Sequence, residues 1–222
     1  MPKVAVVLSG CGVYDGSEIH ESVITLLALN RAGAEVQCFA PDINQMHVVN
    51  HLKGEVEIGE SRNVLVESAR IARGNVKDLS TAKATDFDAV IFPGGFGVAK
   101  NLCDFAVKGS DCFINPEVEE LILDGFNANI PMGFICIAPV IASKVLGAKN
   151  VNVKVTIGTD PETAKEIVKM GAKHINCAVN DCVIDRKNKI VTTPAYMLAN
   201  HISEAAAGID KLVKEVLALT RK

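Results

Sequence analysis

Several features that would direct a functional assignment are scarce in this sequence. It has no tryptophan, and aromatic residues make up only 5% of it, so it offers few platforms on which bases or sugars could stack. Lys and Arg residues are scattered and the formal net charge is −3, so the sequence has no basic stripe that could bind a phosphate backbone. No apolar run approaches the roughly 20 residues that span a bilayer. We therefore expect neither nucleic acid nor a membrane as a partner.

The cysteines also lack a pairing pattern. There are seven of them, an odd number, and no Cys-x-x-Cys motif that would indicate a zinc knuckle or a thioredoxin-like site. Met1-Pro2-Lys3 leads directly into a strand-like run without a signal peptide. We expect a cytoplasmic protein with free thiols, and no metal or other cofactor.

What the sequence does contain is an alternation of apolar strands and amphipathic helices. With 222 residues and 49% hydrophobic content, it can build one sizeable core. Fully apolar strands that alternate with helices are typical of a parallel sheet covered on both faces. The pattern predicts a single domain over residues 1–222, an α/β protein with a three-layer α/β/α sandwich and a mostly parallel sheet.

Local signals place individual elements. Ser17 is a plausible N-cap for a helix that runs to about Ala32. A helix is predicted over roughly Val98–Val107, and another with Asn115 as its cap. Two short runs, Cys182–Asp185 and Lys189–Thr192, are predicted to form a hairpin.

The most informative residue is Cys136, which follows a short apolar run and precedes Ala138-Pro139. This order predicts a sharp turn from a buried strand into a helix N-terminus. Unsatisfied N–H groups and the positive end of the macrodipole favour a thiolate there. Cys136 is therefore a candidate nucleophile, although most free cysteines are simply small core hydrophobes.

Three loops are expected at the same edge of the sheet: the one after Leu8, the one after Phe92 and the turn at Cys136. Pro93-Gly94-Gly95 follows a strand, and its N–H groups, with that of Ile137, could form an oxyanion hole. A tight turn would explain the same glycines equally well. Glu21 lies in the first turn of an otherwise apolar helix, where burial would raise its pKa, or where it simply complements the helix dipole. Glu18 is the better candidate for the dipole partner or for a supporting role.

Two other site types are weak alternatives. Gly10, Gly12 and Gly16 follow the first strand, but their spacing is one residue too long for a dinucleotide fingerprint, and the acidic residues nearby would repel a pyrophosphate. His47 and His51 have the spacing of metal ligands on a helix, but no convincing helix or further ligand accompanies them, which favours two solvent-facing histidines.

Four segments together resemble the ElbB proteins, the "enhancing lycopene biosynthesis" or isoprenoid biosynthesis branch of the ThiJ/PfpI superfamily. They read SGCGVYDGSEIHE at 9–21, FPGGFG at 92–97, CIAP at 136–139 and VTTPAYM at 191–197. The resemblance spans nearly the whole chain and implies a flavodoxin-like, class I glutamine amidotransferase-like fold. It also implies a homodimer, Cys136 as nucleophile, Glu21 as the carboxyl bonded to it, and glutathione-independent glyoxalase activity on 2-oxoaldehydes.

Departures from neighbouring branches narrow the chemistry. Ile137 and Gly158 stand at two positions where the resemblance implies a histidine in other branches of the superfamily. Segment 193–196 corresponds to the loop that carries the catalytic His and Glu of amidotransferases, and it has neither residue. Without a histidine base, a thiolate suits an aldehyde better than an amide, so proteolysis and glutamine hydrolysis are disfavoured. A redox sensor that uses the same cysteine is the alternative, with Cys11 as a possible resolving thiol.

Overall fold

The computed structural model describes residues 1–220 and is built around a seven-stranded sheet in the order β10-β11-β7-β6-β1-β2-β5. All neighbours pair in parallel except β10 and β11, which form the predicted antiparallel hairpin. The strands of this sheet are β1 Lys3–Val7, β2 Glu35–Ala40, β5 Val76–Asp78, β6 Ala89–Phe92, β7 Met132–Ile135, β10 Val183–Asp185 and β11 Ile190–Thr193. Two small pairs lie outside it: β3 Val49–Asn50 with β4 Glu55–Val56, and β8 Lys154–Val155 with β9 Lys173–His174.

Helices cover both faces of the sheet. They are α1 Ile19–Arg31, α2 Val64–Ile71, α3 Phe105–Lys108, α4 Pro116–Asn127, α5 Pro139–Gly147, α6 Pro161–Lys169 and α7 Ile202–Thr220. Alternate residues of each strand point to opposite faces. Val4 and Val6 therefore pack with residues of α1 and α7, whereas Ala5 and Val7 pack with residues of α4 and α5. The two apolar clusters confirm the predicted α/β architecture with its mostly parallel sheet.

The connections between strands determine where a ligand can bind. From β1 the chain moves outward to β2 and β5, and then returns to the other side of β1 as β6, followed by β7. This reversal opens a crevice beyond the carboxyl ends of the neighbouring strands, which is where open parallel sheets bind ligands. The loops that follow β1, β6 and β7 all meet at that place.

Several predicted boundaries change. The N-cap of α1 is Glu18, whose carboxylate accepts a hydrogen bond from the N–H of Glu21 at 2.7 Å. Ser17 is not the cap, because its hydroxyl accepts the N–H of Ser9 at 2.8 Å. The helix predicted over Val98–Val107 is broken into a π-helical turn, Val98–Leu102, and the short α3, because extended Cys103 interrupts it. The cap at Asn115 is confirmed.

One core contact couples the two strands that carry the site. Phe92 and Phe134 are paired in register on β6 and β7, and their fully buried rings stack with centroids 4.9 Å apart. No helix within residues 1–220 combines the length and apolarity needed to cross a bilayer.

We expect Phe134→Ala to lower the free energy of unfolding by about 3 to 5 kcal/mol, because it removes a buried ring and leaves a cavity. Urea unfolding followed by circular dichroism measures this. Phe113→Ala is the control, since the Phe113 side chain is 71% exposed and its removal should have little effect. Equal losses in the two variants would contradict the assigned core.

Candidate active site

Cys136 occupies a strained turn between β7 and α5, as the sequence predicts. Its φ angle is +62°, in the left-handed region that non-glycine residues seldom adopt. Its N–H donates to the carbonyl of Thr193 at 2.9 Å, which ties the turn to the end of β11. The residue is 8% exposed, so only a small reagent can reach the sulfur. Strain of this kind is characteristic of functional positions.

Glu21 contacts the Cys136 sulfur from the first turn of α1. The carboxyl is 0% exposed and is hydrogen bonded to the Cys136 side chain. Its two oxygens also accept backbone N–H groups, Oε2 that of Gly94 at 2.9 Å and Oε1 that of Tyr196 at 3.1 Å. The structure thus joins α1 and the loops after β6, β7 and β11 at one buried carboxyl.

The two glycines after β6 have different roles. A side chain at Gly94 would collide with the Cβ of Cys136 and with Oε2 of Glu21, so only glycine allows the carboxyl and sulfur to approach. Gly95 has a φ of +100°, and its N–H, like that of Ile137, faces the Cys136 sulfur. Because the N–H of Gly94 is already bonded to Glu21, Gly95 and Ile137 are the donors that remain for a substrate oxygen or a thiolate.

Burial is the largest influence on the pKa values of Glu21 and Cys136. It raises the pKa of the Glu21 carboxyl to about 8, and the nearby charge of Glu18 acts in the same direction, while hydrogen bonds from Tyr196, Cys136 and Gly94 oppose it. Burial, and then the charge of Glu21, raise the pKa of the Cys136 thiol well above its ordinary value. The net shift of the Cys136 pKa is therefore opposite to the one that the helix end alone predicts. The N–H groups of Gly95 and Ile137 lower this pKa, but they do not outweigh desolvation.

Two residues assigned a supporting role lie at different distances from this centre. Glu18 is buried, caps α1, and donates its own N–H to the carbonyl of Gly94 at 2.9 Å, so it positions the loop after β6. Cys11 lies in the glycine-rich loop, where the nearby charged groups are Glu67, Arg70, Asp15 and Arg62, and its thiol pKa is raised by burial. None of these four charged groups is among those that shift the pKa of Cys136, so Cys11 lies in a separate environment.

The missing histidine has a structural counterpart. Gly158, with a φ of +100°, faces the side chain of Leu198, and a Cβ at position 158 would approach the Leu198 Cγ to 2.8 Å. Leu198 therefore occupies the space that a larger side chain at 158 would need. Among the described residues, the groups that hydrogen bond to the Cys136 sulfur are Glu21, Gly95 and Ile137, and no histidine is among them.

Sequence reasoning missed a pair at the edge of the site. The hydroxyl of Tyr196 lies 2.8 Å from Nδ1 of His20, and the neighbouring backbone N–H of Tyr196 holds Glu21. The segment Ala195–Met197 is thus attached to the first turn of α1 at two points. The adjacency of His20 and Glu21 in the sequence was the available signal, but only the fold brings Tyr196 to them.

The glycine-rich loop after β1 folds on itself. Gly12 donates to the carbonyl of Ser17 at 2.9 Å, and buried Asp15 accepts the N–H of Val49 at 2.8 Å. With Glu18 capping α1, the helix end already holds a carboxylate, which disfavours a pyrophosphate. His51 is exposed to solvent, as predicted, and its Nε2 accepts the N–H of Tyr14 at 3.2 Å.

Comparison with known proteins identifies close relatives, although no family model matches the chain. It is 52% identical over 229 residues to the human protein "glutamine amidotransferase-like class 1 domain-containing protein 3, mitochondrial", covering 99% of this chain and 84% of the relative. The rat "ES1 protein homolog, mitochondrial" is 51% identical, with 99% and 85% coverage. The prediction of a cytoplasmic location is contradicted by these relatives, which are named mitochondrial.

Solved structures show the same relationship to amidotransferase-like proteins. A crystal structure from Ehrlichia chaffeensis, an "isoprenoid biosynthesis protein with amidotransferase-like domain", is 39% identical, covers 99% of both chains and has a TM-score of 0.92. DJ-1β of Drosophila melanogaster is 18% identical, covers 99% of this chain and 96% of its own, and at a TM-score of 0.55 shows only the shared fold. The chain therefore belongs to the ES1 family of glutamine amidotransferase-like class 1 domain proteins, with the DJ-1/ThiJ/PfpI fold.

Proposed function

We propose that this protein is a cysteine-dependent, glutathione-independent glyoxalase that acts on glyoxal or a related 2-oxoaldehyde. The observation that carries the proposal is the fully buried Glu21 carboxyl, hydrogen bonded to the Cys136 sulfur and holding a pKa of about 8. A carboxyl of this kind can take and return a proton near neutral pH. This is what a rearrangement of an aldehyde requires.

The first step is addition of sulfur to the aldehyde. Ionised Glu21 accepts the thiol proton as the Cys136 sulfur attacks the aldehyde carbon, so that the negative charge passes from the carboxylate to the substrate oxygen. The carbonyl oxygen becomes an oxyanion, to which the N–H groups of Gly95 and Ile137 can donate. Glu21 then donates its proton to this oxygen, which gives a hemithioacetal and leaves the Glu21 carboxylate ionised again.

The second step moves a hydrogen between the two carbons. Glu21 removes the proton from the carbon bound to sulfur, forming an enediolate, and returns it to the neighbouring carbon. The hydroxyl proton passes from the oxygen on the sulfur-bound carbon to the other oxygen, which gives a thioester of the 2-hydroxy acid. Water then hydrolyses the thioester and restores the thiol. The sum is one 2-oxoaldehyde and one water giving one 2-hydroxy acid, so no external oxidant, reductant or glutathione is consumed.

The same geometry disfavours hydrolysis of amides. An amide needs a strong nucleophile and an acid for its poor leaving group, a task usually given to histidine. Here the sulfur has a raised pKa, and the position facing Leu198 is a glycine. An aldehyde is far more electrophilic and needs no leaving group.

We also propose that this chain belongs to the ElbB-like, isoprenoid biosynthesis branch of the family. The four motifs support it, as does the Ehrlichia relative, whose name refers to isoprenoid biosynthesis. Redox sensing at Cys136 is the second candidate, favoured by the strained turn and the two N–H groups that face the sulfur. We place it second because the raised thiol pKa reduces the thiolate that an oxidant attacks.

Glyoxal consumption tests the proposal. We expect Cys136→Ala to abolish turnover and Glu21→Gln to lower kcat/KM by roughly 100-fold or more, since general acid–base catalysis is lost. Cys38→Ala is the control, because Cys38 is a buried cysteine on β2 outside the site, and it should keep the wild-type rate. Wild-type rates in both site variants would contradict the proposal.

The pH dependence of stability tests the protonation of Glu21. The carboxyl ionises near pH 4.5 when exposed and near pH 8 when folded, so between these values the folded state binds more protons than the unfolded state. The free energy of unfolding should therefore fall as the pH rises through this window, by at most roughly 5 kcal/mol. Chemical unfolding at pH 5, 6.5 and 8.5 measures the slope.

Glu21→Gln is the informative variant for this measurement. Its amide NH₂ would face one of the two N–H donors, so we expect lower stability at pH 5 than in the wild type. Its slope between pH 5 and 8.5 should be much flatter, because no proton is bound there. An unchanged slope would show that another group titrates.

We further propose a homodimer through the outer face of α1. Ile19, Val23 and Leu27 recur every four residues along α1 and are each 42–48% exposed. They form a continuous apolar stripe that no other part of residues 1–220 covers. Light scattering after size exclusion should give the dimer mass for the wild type. We expect Val23→Glu to yield monomers. Val168→Glu, which changes a 58% exposed side chain on α6, should leave the dimer intact. A monomeric wild type would contradict the proposal.

A further inference from the structure

A second pair of thiols lies outside the Cys136 site. Cys103 and Cys112 flank the short α3, and the backbone brings them together like the two arms of a hairpin. Cys103 forms an antiparallel bridge with Ile114. Two backbone hydrogen bonds frame this bridge: the N–H of Asn115 donates to the carbonyl of Leu102 at 2.9 Å, and the N–H of Asp104 donates to the carbonyl of Phe113 at 3.2 Å. The Asp104 carboxylate accepts the N–H of Phe113 at 2.7 Å, which closes the neck of the loop.

Cys112 lies two residues before Ile114, the bridge partner of Cys103, so the backbone places both thiols on the same side of this neck. Each thiol shifts the pKa of the other, and the S–H of Cys103 donates to the carbonyl of Val98 at 3.2 Å. Cys103 is 5% exposed and Cys112 is 2% exposed. Two thiols that the backbone places on the same side of one closed neck are positioned to form a disulfide, which requires neighbouring and aligned side chains.

We propose that Cys103 and Cys112 form a dithiol that a peroxide converts into an intramolecular disulfide, separate from the Cys136 site. The oxidant is a small hydroperoxide such as hydrogen peroxide. Cys112 gives up its proton and attacks one peroxide oxygen, the O–O bond breaks, and the leaving hydroxide takes up that proton, so that sulfenic acid and water result. The Cys103 thiolate then attacks that sulfur and releases a second water, so two thiols and one peroxide give one disulfide and two waters.

The position of Lys144 beside the loop favours Cys112 as the attacking thiol. A hydrogen bond from Cys103 lowers the pKa of the Cys112 thiol, and the positive charge of Lys144 acts in the same direction. Lys144 is held beside the loop by a 2.6 Å hydrogen bond to the carbonyl of Ser110. Cys103, whose own pKa is raised, is the resolving thiol.

The structure can accept the oxidation without leaving a backbone group unpaired. When Cys103 loses its S–H, the carbonyl of Val98 still accepts the N–H of Cys103 at 3.1 Å. Burial of both sulfurs restricts the reaction to small oxidants, because glutathione disulfide cannot reach them. The other cysteines with resolved shifts, Cys11, Cys38, Cys136, Cys177 and Cys182, all have raised pKa values.

Peroxide titration of the full chain tests the proposal. Reduced protein is treated with hydrogen peroxide, remaining thiols are blocked with iodoacetamide after unfolding, and intact mass and a non-reducing peptide map are recorded. We expect the loss of two hydrogens and a peptide linked through Cys103 and Cys112, reversed by dithiothreitol. Glutathione disulfide at the same concentration should produce neither this link nor a mixed disulfide at these residues.

Variants separate this site from the first. Cys136→Ala should form the same link at the wild-type rate, whereas Cys112→Ser should form none and should take up peroxide oxygen at Cys103 more than tenfold more slowly. The wild-type map decides the matter even if Cys112→Ser folds poorly. Oxygen uptake at Cys136 with both Cys103 and Cys112 still alkylable would overturn the proposal, as would links between other cysteines.

Discussion

The contact between the Glu21 carboxyl and the Cys136 sulfur is the constraint on which the site depends. A fully buried carboxyl must have its hydrogen bonds satisfied, and the N–H groups of Gly94 and Tyr196 do so from two different loops. Gly94 must be glycine because a Cβ there would occupy the space between carboxyl and sulfur. One acidic side chain therefore determines the conformation of the loops after β6 and β11 and their distance from the turn after β7.

Burial also sets the reactivity of the sulfur. A helix N-terminus stabilises a thiolate by a few tenths to about one kcal/mol near the surface, and removal of a charge from water costs several times more. Desolvation therefore wins at Cys136, and its thiol is activated only through a proton exchange with Glu21. The dithiol Cys103–Cys112 shows the opposite balance at its attacking sulfur, because a second thiol and Lys144 lower the pKa of Cys112. Two kinds of sulfur chemistry can therefore coexist in one chain.

The family relationship and the local geometry limit the chemistry together. The chain shares its fold with amidotransferase-like and DJ-1-like proteins, but a fold does not define a reaction. Leu198 fills the space beside Gly158, so the absence of a histidine at this position is built into the packing of the site. The proposed aldehyde chemistry follows from what remains: a carboxyl, a thiol and two backbone donors.

The sequence alone determined the α/β architecture, the strand-to-helix turn at Cys136 and the meeting of three loops at one sheet edge, because apolar periodicity and glycine positions report on local backbone and on burial. It did not determine the N-cap of α1, the break after Val98–Leu102 or the pairing of His20 with Tyr196, since each depends on contacts between distant segments. The direction of the Cys136 pKa shift was also beyond it. A helix end is visible in sequence, whereas desolvation and the approach of Glu21 arise only when the layers pack.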